Sequence, residues 1–134
     1  MHSPNNTSSV RIIIADDHDL VRGAMRSLLD SQPDLRVIVE AKDGQEAIEL
    51  CRLQRPDLVL MDVRMPTVNG FEATQIIKEE LPTTKVLIVS AYEDPLLTSE
   101  AVRAGADGYV LKLSVVQELV DAIRGVLRGE SHYL

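Results

Sequence analysis

The chain has no tryptophan, and its one cysteine is Cys51. A single thiol excludes an internal disulfide, so stability must come from a buried core, and a cytoplasmic setting is expected. Aromatic residues are nearly as scarce. Phe71, Tyr92, Tyr109 and Tyr133 are the only four, and their scatter offers no platform for stacking bases. Histidines at 2, 18 and 132 are too dispersed for a zinc site. No apolar run reaches the roughly 20 residues needed to cross a bilayer, so no membrane association is expected. The polar stretch 1–9 lacks the apolar segment of a secretory signal and reads as a flexible tail. Lys and Arg number 14 against 21 Asp and Glu, a net charge of −7. Phosphate backbones repel such a surface, so this segment is not expected to grip DNA by itself.

What is present fits one globular domain. The 134 residues are 45% hydrophobic and 26% charged, and a chain of this size buries roughly two-thirds of its unfolded surface. Its pattern alternates. Residues 10–15 form a β-branched run that reads as a buried strand. A helix follows, with Asp19 as the expected N-cap and apolar pairs Leu20/Val21, Ala24/Met25 and Leu28/Leu29 spaced by four along one face. Residues 36–40 read as the second strand, and Asp43-Gly-Gln-Glu46 as a capping box opening a helix through Leu53. Pro56 marks the break before a third strand, 58–61. Asn69-Gly-Phe-Glu72 is a second capping box. Asn-Gly is also a hairpin signal, but no matching strand follows, so a helix through about Glu80 is favoured.

Residues 85–89 read as strand four, and Asp94-Pro95 as an N-cap with proline at the first helical position. The apolar face of that helix is thin, and Gly105 ends it. Residues 108–111 read as strand five. Ser114 opens the last helix, whose expected apolar face is Val116, Leu119, Val120, Ile123 and Leu127, with Gly129 at its end. Five strand–helix units predict an α/β fold with a parallel sheet covered on both faces, in the flavodoxin-like (βα)5 order 2-1-3-4-5.

Such sheets bind ligands beyond the carboxyl ends of their strands. Strand one ends in Asp16-Asp17, strand three in Asp62, strand four in Ser90 and strand five in Lys112. Taken singly, each has an ordinary explanation. The acid pair can cap a helix, the lysine can be a solvated charge, the serine a turn residue, and Tyr109 part of the core. His18 reads simply as part of the turn into the first helix, and Cys51 as packing. Together, three carboxylates at adjoining strand ends repel one another unless a cation lies among them. A hard divalent ion suits oxygen ligands, and Mg²⁺ (or Mn²⁺) keeps positions open for phosphate oxygens.

These residues carry a resemblance. Asp16-Asp17, Asp62-Val-Arg-Met-Pro66 with Asn69-Gly70, Ser90-Ala91 and Gly108-Tyr-Val-Leu-Lys112 together resemble a response-regulator receiver domain of two-component signalling. The likeness runs over about residues 10–129. Ala15-Asp-Asp-His-Asp19, residues 104–112 and residues 122–129 are similar in particular to the NarL/LuxR (FixJ-like) type. The resemblance implies that Asp62 is the phosphoacceptor for a sensor histidine kinase. It implies that Asp17, Asp62 and the backbone carbonyl of Arg64 bind Mg²⁺ directly, and that Asp16 acts through metal-bound water. Lys112 and Ser90 would meet the phosphoryl oxygens, and Tyr109 would change rotamer as Ser90 moves. Arg64 and Tyr92 stand where family side chains screen the acyl phosphate from water. Both are large, which implies slow self-dephosphorylation.

In many receivers a proline follows the lysine, with a cis peptide between them. Leu113 follows Lys112 here, so a trans peptide is expected. The likeness also implies a phosphoacceptor switch rather than an enzyme, homodimerisation on phosphorylation, and a linker beginning at residues 130–134. DNA binding would then belong to a helix-turn-helix domain absent from this chain. The first and last helices, or the face from strand four to the last helix, are the candidate dimer surfaces.

Three rivals fit less well. An aspartate-nucleophile phosphatase needs an acid two residues after the nucleophile, where this chain has Arg64. A nucleotide-binding domain needs a glycine-rich turn after strand one, where this chain has Asp-Asp-His-Asp. A degenerate receiver that only binds proteins would not need the full acidic set with Ser90 and Lys112.

Overall fold

The computed structural model describes residues 9–133; residues 1–8, the bulk of the expected tail, lie outside the described residues. The elements follow in strict alternation: β1 (Val10–Ala15), α1 (Asp19–Asp30), β2 (Leu35–Ala41), α2 (Gly44–Gln54), β3 (Leu58–Met61), α3 (Gly70–Glu80), β4 (Lys85–Ser90), α4 (Pro95–Ala104), β5 (Gly108–Leu111) and α5 (Val115–Leu127). All strand pairs are parallel, in the order β2-β1-β3-β4-β5, as the alternating pattern predicts.

Successive strand residues point to opposite faces, and this sorts the core into two layers. Ile13, Val59, Met61, Val86, Ile88 and Tyr109 pack on one face against Ala47, Ile48, Cys51, Ala73, Ile77 and Ala101 of α2, α3 and α4. Ile12, Ile14, Leu58, Leu60, Leu87 and Val110 pack on the other against Met25, Leu29, Leu119, Ile123 and Val126 of α1 and α5. Each such large aliphatic contributes about 1.5–3 kcal/mol on burial. Cys51 is fully buried and its thiol is pushed up to about 12 by desolvation, so it is an inert packing residue. In the register, Ala15 pairs with Met61 and Met61 with Ile88. The carboxyl ends of β1, β3 and β4 therefore lie side by side.

The helix boundaries are local chemistry. Asn69 and Glu72 complete a reciprocal capping box on α3, and Asp94 accepts from the Leu96 amide with Pro95 behind it on α4. On α2 only half of the expected box forms. Asp43 accepts from the Glu46 amide, but the Glu46 side chain accepts from Lys42 instead. The first helix departs further, since His18 is its N-cap and Asp19 its first helical residue. The Asp19 carboxylate turns to Arg22 one turn on, where it still complements the positive end of the helix.

Two predicted faces are also corrected. Leu20 is 86% exposed and Ala24 is exposed, while the covered stripe of α1 runs through Val21, Met25, Leu28 and Leu29. Val116 is 77% exposed because α5 turns Val115, Leu119, Ala122, Ile123 and Val126 inward. Along α4 only Ala101 is buried, which agrees with its thin apolar pattern. A 3-10 turn, Lys112–Ser114, precedes α5. The Lys112–Leu113 peptide is trans, as expected, and no cis bond occurs among the described residues.

The chain after α5 returns to the sheet. The Tyr109 amide donates to the His132 carbonyl at 2.6 Å, the His132 amide to Asp107 at 3.2 Å, and the Tyr133 hydroxyl to the Ala106 carbonyl. Gly108 allows this approach, since a Cβ there would lie 2.6 Å from the His132 carbonyl oxygen and 2.7 Å from Leu87 Cδ1. Gly108→Ala is therefore expected to lower stability by about 1–3 kcal/mol. It should also speed hydrogen exchange at the Tyr109 amide. Thermal melting and exchange measured together check this, and an unchanged Tyr109 amide would mean the tail is not held there.

Candidate functional site

The parallel register brings the strand-end residues to one mouth. Asp16 is fully buried at the end of β1. Its Oδ1 accepts from the His18 amide at 2.9 Å, and its Oδ2 lies 2.9 Å from Lys112 Nζ. Asp62, at the end of β3, is 6% exposed. Its Oδ1 accepts from the Val63 amide at 2.8 Å, and its Oδ2 lies 3.3 Å from Lys112 Nζ. One lysine thus faces two carboxylates. Ser90 is buried across from them and accepts from the Tyr92 amide at 3.1 Å. A cavity of about 100 Å³ opens here, lined by His18, Asp62, Arg64, Ser90, Tyr92 and Lys112 among others.

The loop after Asp62 is tightly built. The Gly70 amide donates to the Val63 carbonyl at 2.7 Å, and a Cβ on Gly70 would sit 1.9 Å from the Asp62 carbonyl oxygen. Only glycine lets the start of α3 press against the backbone that carries Asp62. Thr67 holds a left-handed φ of 72°, a costly state for a β-branched residue. The side chain of Arg64 leaves the loop and stacks its guanidinium 4.6 Å above the Tyr92 ring, as a roof over the cavity. Tyr109 is fully buried, and its hydroxyl donates to the Tyr92 carbonyl at 2.6 Å. Burial pushes its phenol above the usual value, partly offset by the Ser90 hydroxyl.

The electrostatics is that of a site short of positive charge. Burial and then the neighbouring Asp16 raise the pKa of Asp62, and Lys112 only partly offsets them. Burial opposes the charge on Lys112, but Asp16 and Asp62 outweigh it and hold the ammonium above its ordinary value. Asp16 Oδ2 is buried without a well-aligned hydrogen bond, and the Lys112 ammonium 2.9 Å from it is shared with Asp62. Asp16, Asp17, His18 and Asp62 each offer a ligand atom within 4.8 Å of the others. A buried carboxylate oxygen without a well-aligned donor, grouped with two further carboxylates, fits a hard divalent cation.

His18, read from the sequence as part of the turn into the first helix, is indeed the N-cap there, and it also faces the acids. Its Nδ1 lies 3.1 Å from both Asp16 Oδ1 and Asp17 Oδ1. Its place between two acids and a helix start was the available signal. Asp17 is the more exposed member of the acid pair, consistent with a ligand at the solvent side of the mouth.

Residues 12–124 match the family model of the response regulator receiver domain. The chain belongs to the response-regulator receiver family. This receiver is 42% identical over 126 residues to the transcriptional regulatory protein YxjL of Bacillus subtilis, covering 94% of this chain and 58% of the relative. It is 38% identical to the response regulator VraR of Staphylococcus aureus, covering 92% and 59%. Among solved structures, a LuxR-family two-component response regulator from Aurantimonas sp. SI85-9A1 superposes with a TM-score of 0.89 at 38% identity, covering 93% of this chain and 89% of that one. The relatives are LuxR/NarL-type regulators, and the first four curated relatives are spanned over only 54–59% of their length. Among the described residues no helix is long and apolar enough to cross a membrane.

Proposed function

We propose that this receiver accepts a phosphoryl group on Asp62 from the phosphohistidine of a sensor histidine kinase, and that the gain of charge switches an output surface. The observation that carries this reading is the buried Asp62 carboxylate beside Lys112 at a cavity that also meets Ser90. In the transfer, an Asp62 oxygen forms the new P–O bond as the P–N bond of the donor breaks, and the departing imidazole keeps the electron pair and takes up a proton. A carboxylate approaches an anionic phosphoryl group only if that repulsion is screened. Lys112 supplies one positive charge for the phosphoryl oxygens, and Ser90 one hydroxyl donor. Asp17, Asp62 and the Arg64 carbonyl would hold Mg²⁺ (or Mn²⁺), with Asp16 reaching it through water. When bound, the cation neutralises the carboxylates and the incoming phosphoryl oxygens.

The switch on this reading runs through Ser90 and Tyr109. Drawing the Ser90 hydroxyl to the phosphoryl group gives up its contact with the Tyr92 amide, and the Tyr109 hydroxyl is tied to the same residue's carbonyl. The sparsely buried α4 beside them has few contacts to break. The chain acts on itself and turns over no external substrate, which makes it a switch rather than an enzyme. We place it in the cytoplasm, as a homodimer once phosphorylated, with DNA reached only through a further C-terminal domain of the longer protein. The reading is tested by incubating the chain with acetyl phosphate and measuring intact mass. One phosphoryl group is expected with Mg²⁺ and none with a chelator. A metal-independent gain, or none at all, would reject it.

Arg64 and Tyr92 set the lifetime of the acyl phosphate on the same reading, since their stacked side chains limit the approach of water. The double variant Arg64→Ala, Tyr92→Ala is expected to lose the group roughly tenfold faster, a barrier lower by ~1.4 kcal/mol. Mass followed over time after donor removal measures this. An unchanged lifetime would mean the roof has no such role.

A further inference from the structure

Arg22 stands on α1, six residues beyond Asp16, and is only 6% exposed. A buried guanidinium must find partners for both its charge and its donors. Its Nε donates to Glu40 Oε1 at 2.8 Å, its Nη2 to Asp19, and its Nη1 to the backbone carbonyl of Asp16 at 2.6 Å. Burial opposes the charge, but Glu40 and Asp19 more than restore it. Glu40, at the end of β2, is held by a second cation, Arg26. The carboxylates therefore satisfy the charge of Arg22, and the third contact has another consequence.

That contact grips the main chain where the acidic pair begins. The Asp16 amide already donates to the Ala41 carbonyl at 3.0 Å, so Arg22 clamps the same residue from its other side. The Asp16 carbonyl belongs to the planar peptide that joins Asp16 to Asp17. Its orientation sets the direction in which both side chains leave the backbone. Asp16 has no freedom in its burial, and Asp17 follows one peptide later.

We propose that Arg22 is a positioning residue of the acidic site: by fixing the Asp16–Asp17 peptide it sets the affinity of the site for a divalent cation. Arg22 touches neither the cation nor the phosphoryl group. The inference rests on the metal reading given above and adds to it a residue outside the acidic cluster.

The test compares variants that share a structural cost but differ at the clamp. Arg22→Lys keeps the charge, but a single ammonium on a shorter stem cannot span Glu40 and the Asp16 carbonyl together. Arg22→Met keeps the packing of an unbranched stem and leaves Glu40 paired with Arg26. Glu40→Gln breaks the ion pairs and leaves the clamp. Free Mn²⁺ in titrations of the unphosphorylated chain is read by electron paramagnetic resonance, with thermal melting alongside. Both Arg22 variants are expected to weaken Mn²⁺ binding by roughly tenfold, the scale seen when an outer partner of a metal ligand is lost. Glu40→Gln should melt lower yet bind Mn²⁺ within about twofold of wild type. Phosphoryl uptake in the Arg22 variants should recover at saturating metal, raising the half-saturating concentration and leaving the maximal rate. Wild-type affinity in both Arg22 variants overturns the proposal, as does an equal loss in Glu40→Gln, which would make the effect one of stability alone. If the wild-type chain itself binds no Mn²⁺, the metal reading fails first and the proposal with it.

Discussion

Asp62→Ala is expected to abolish Mg²⁺-dependent phosphoryl uptake, with an initial rate lower by about 1,000-fold or more. The carboxylate is the nucleophile on the proposed reading, and nothing nearby replaces it. Asp16 is buried below, with its Oδ1 taken by the His18 amide and its Oδ2 against Lys112. Asp17 lies at the solvent side. The loss will not be an effect of misfolding, because Asp62 is itself an electrostatic burden. Burial and Asp16 both disfavour its charge, so its removal relieves the pair and leaves Lys112 to Asp16. Melting at or above the wild-type temperature, with no gain in mass, is the expected pair of results. A variant that still takes up one phosphoryl group with Mg²⁺ would move the acceptor to another residue.

Lys112→Met is expected to slow uptake by roughly 100-fold, the effect of removing one preorganised transition-state partner, or about 2.7 kcal/mol. It should also change how stability depends on pH. Lys112 is the cation shared by Asp16 and Asp62, and without it the pKa of Asp62, already raised by burial and by Asp16, rises further. A carboxyl whose folded pKa exceeds its unfolded value of about 3.9 binds more protons when folded. Its contribution to stability is fully present below the unfolded value and is lost as pH rises through the folded one. Metal-free Lys112→Met should therefore lose stability more steeply than wild type as pH rises above about 4. Added Mg²⁺ should restore much of the difference, because it replaces the missing positive charge. Melting curves across pH, with and without Mg²⁺, measure both effects. Equal slopes in the two proteins would show that Lys112 does not balance the pair.

The order of elements and the residues at the strand ends were legible in the sequence because both follow from short-range rules. A short apolar run rich in β-branched residues and bounded by turn signals reads as a buried strand, and its end is legible to within a few positions. Asp16, Asp62, Ser90 and Lys112 therefore came out as strand-end residues, and the parallel order then made them neighbours. Capping chemistry was equally local at Asn69 and Asp94. Tyr109 could be read only as core or switch, and both readings use the same buried side chain.

Other features depend on what packs against what. Helical periodicity gives the direction of an apolar stripe but not its width, and this is why Leu20 and Val116 were assigned inward and lie outside. Nothing in the sequence singles out Arg22 on α1. Its burial requires Glu40 from the neighbouring strand, 18 residues away, together with the Asp16 carbonyl. His18 is the turn residue that the sequence indicates, and only the fold sets its ring between two carboxylates. The sequence by itself determined the (βα)5 order and the acidic, lysine-bearing strand ends, since hydrophobic period and turn residues act over a few positions. Only the tertiary structure decided the partners of the buried arginine, the stacking of Arg64 on Tyr92 and the return of His132 to β5, because each joins residues far apart in the chain whose meeting depends on how the layers pack.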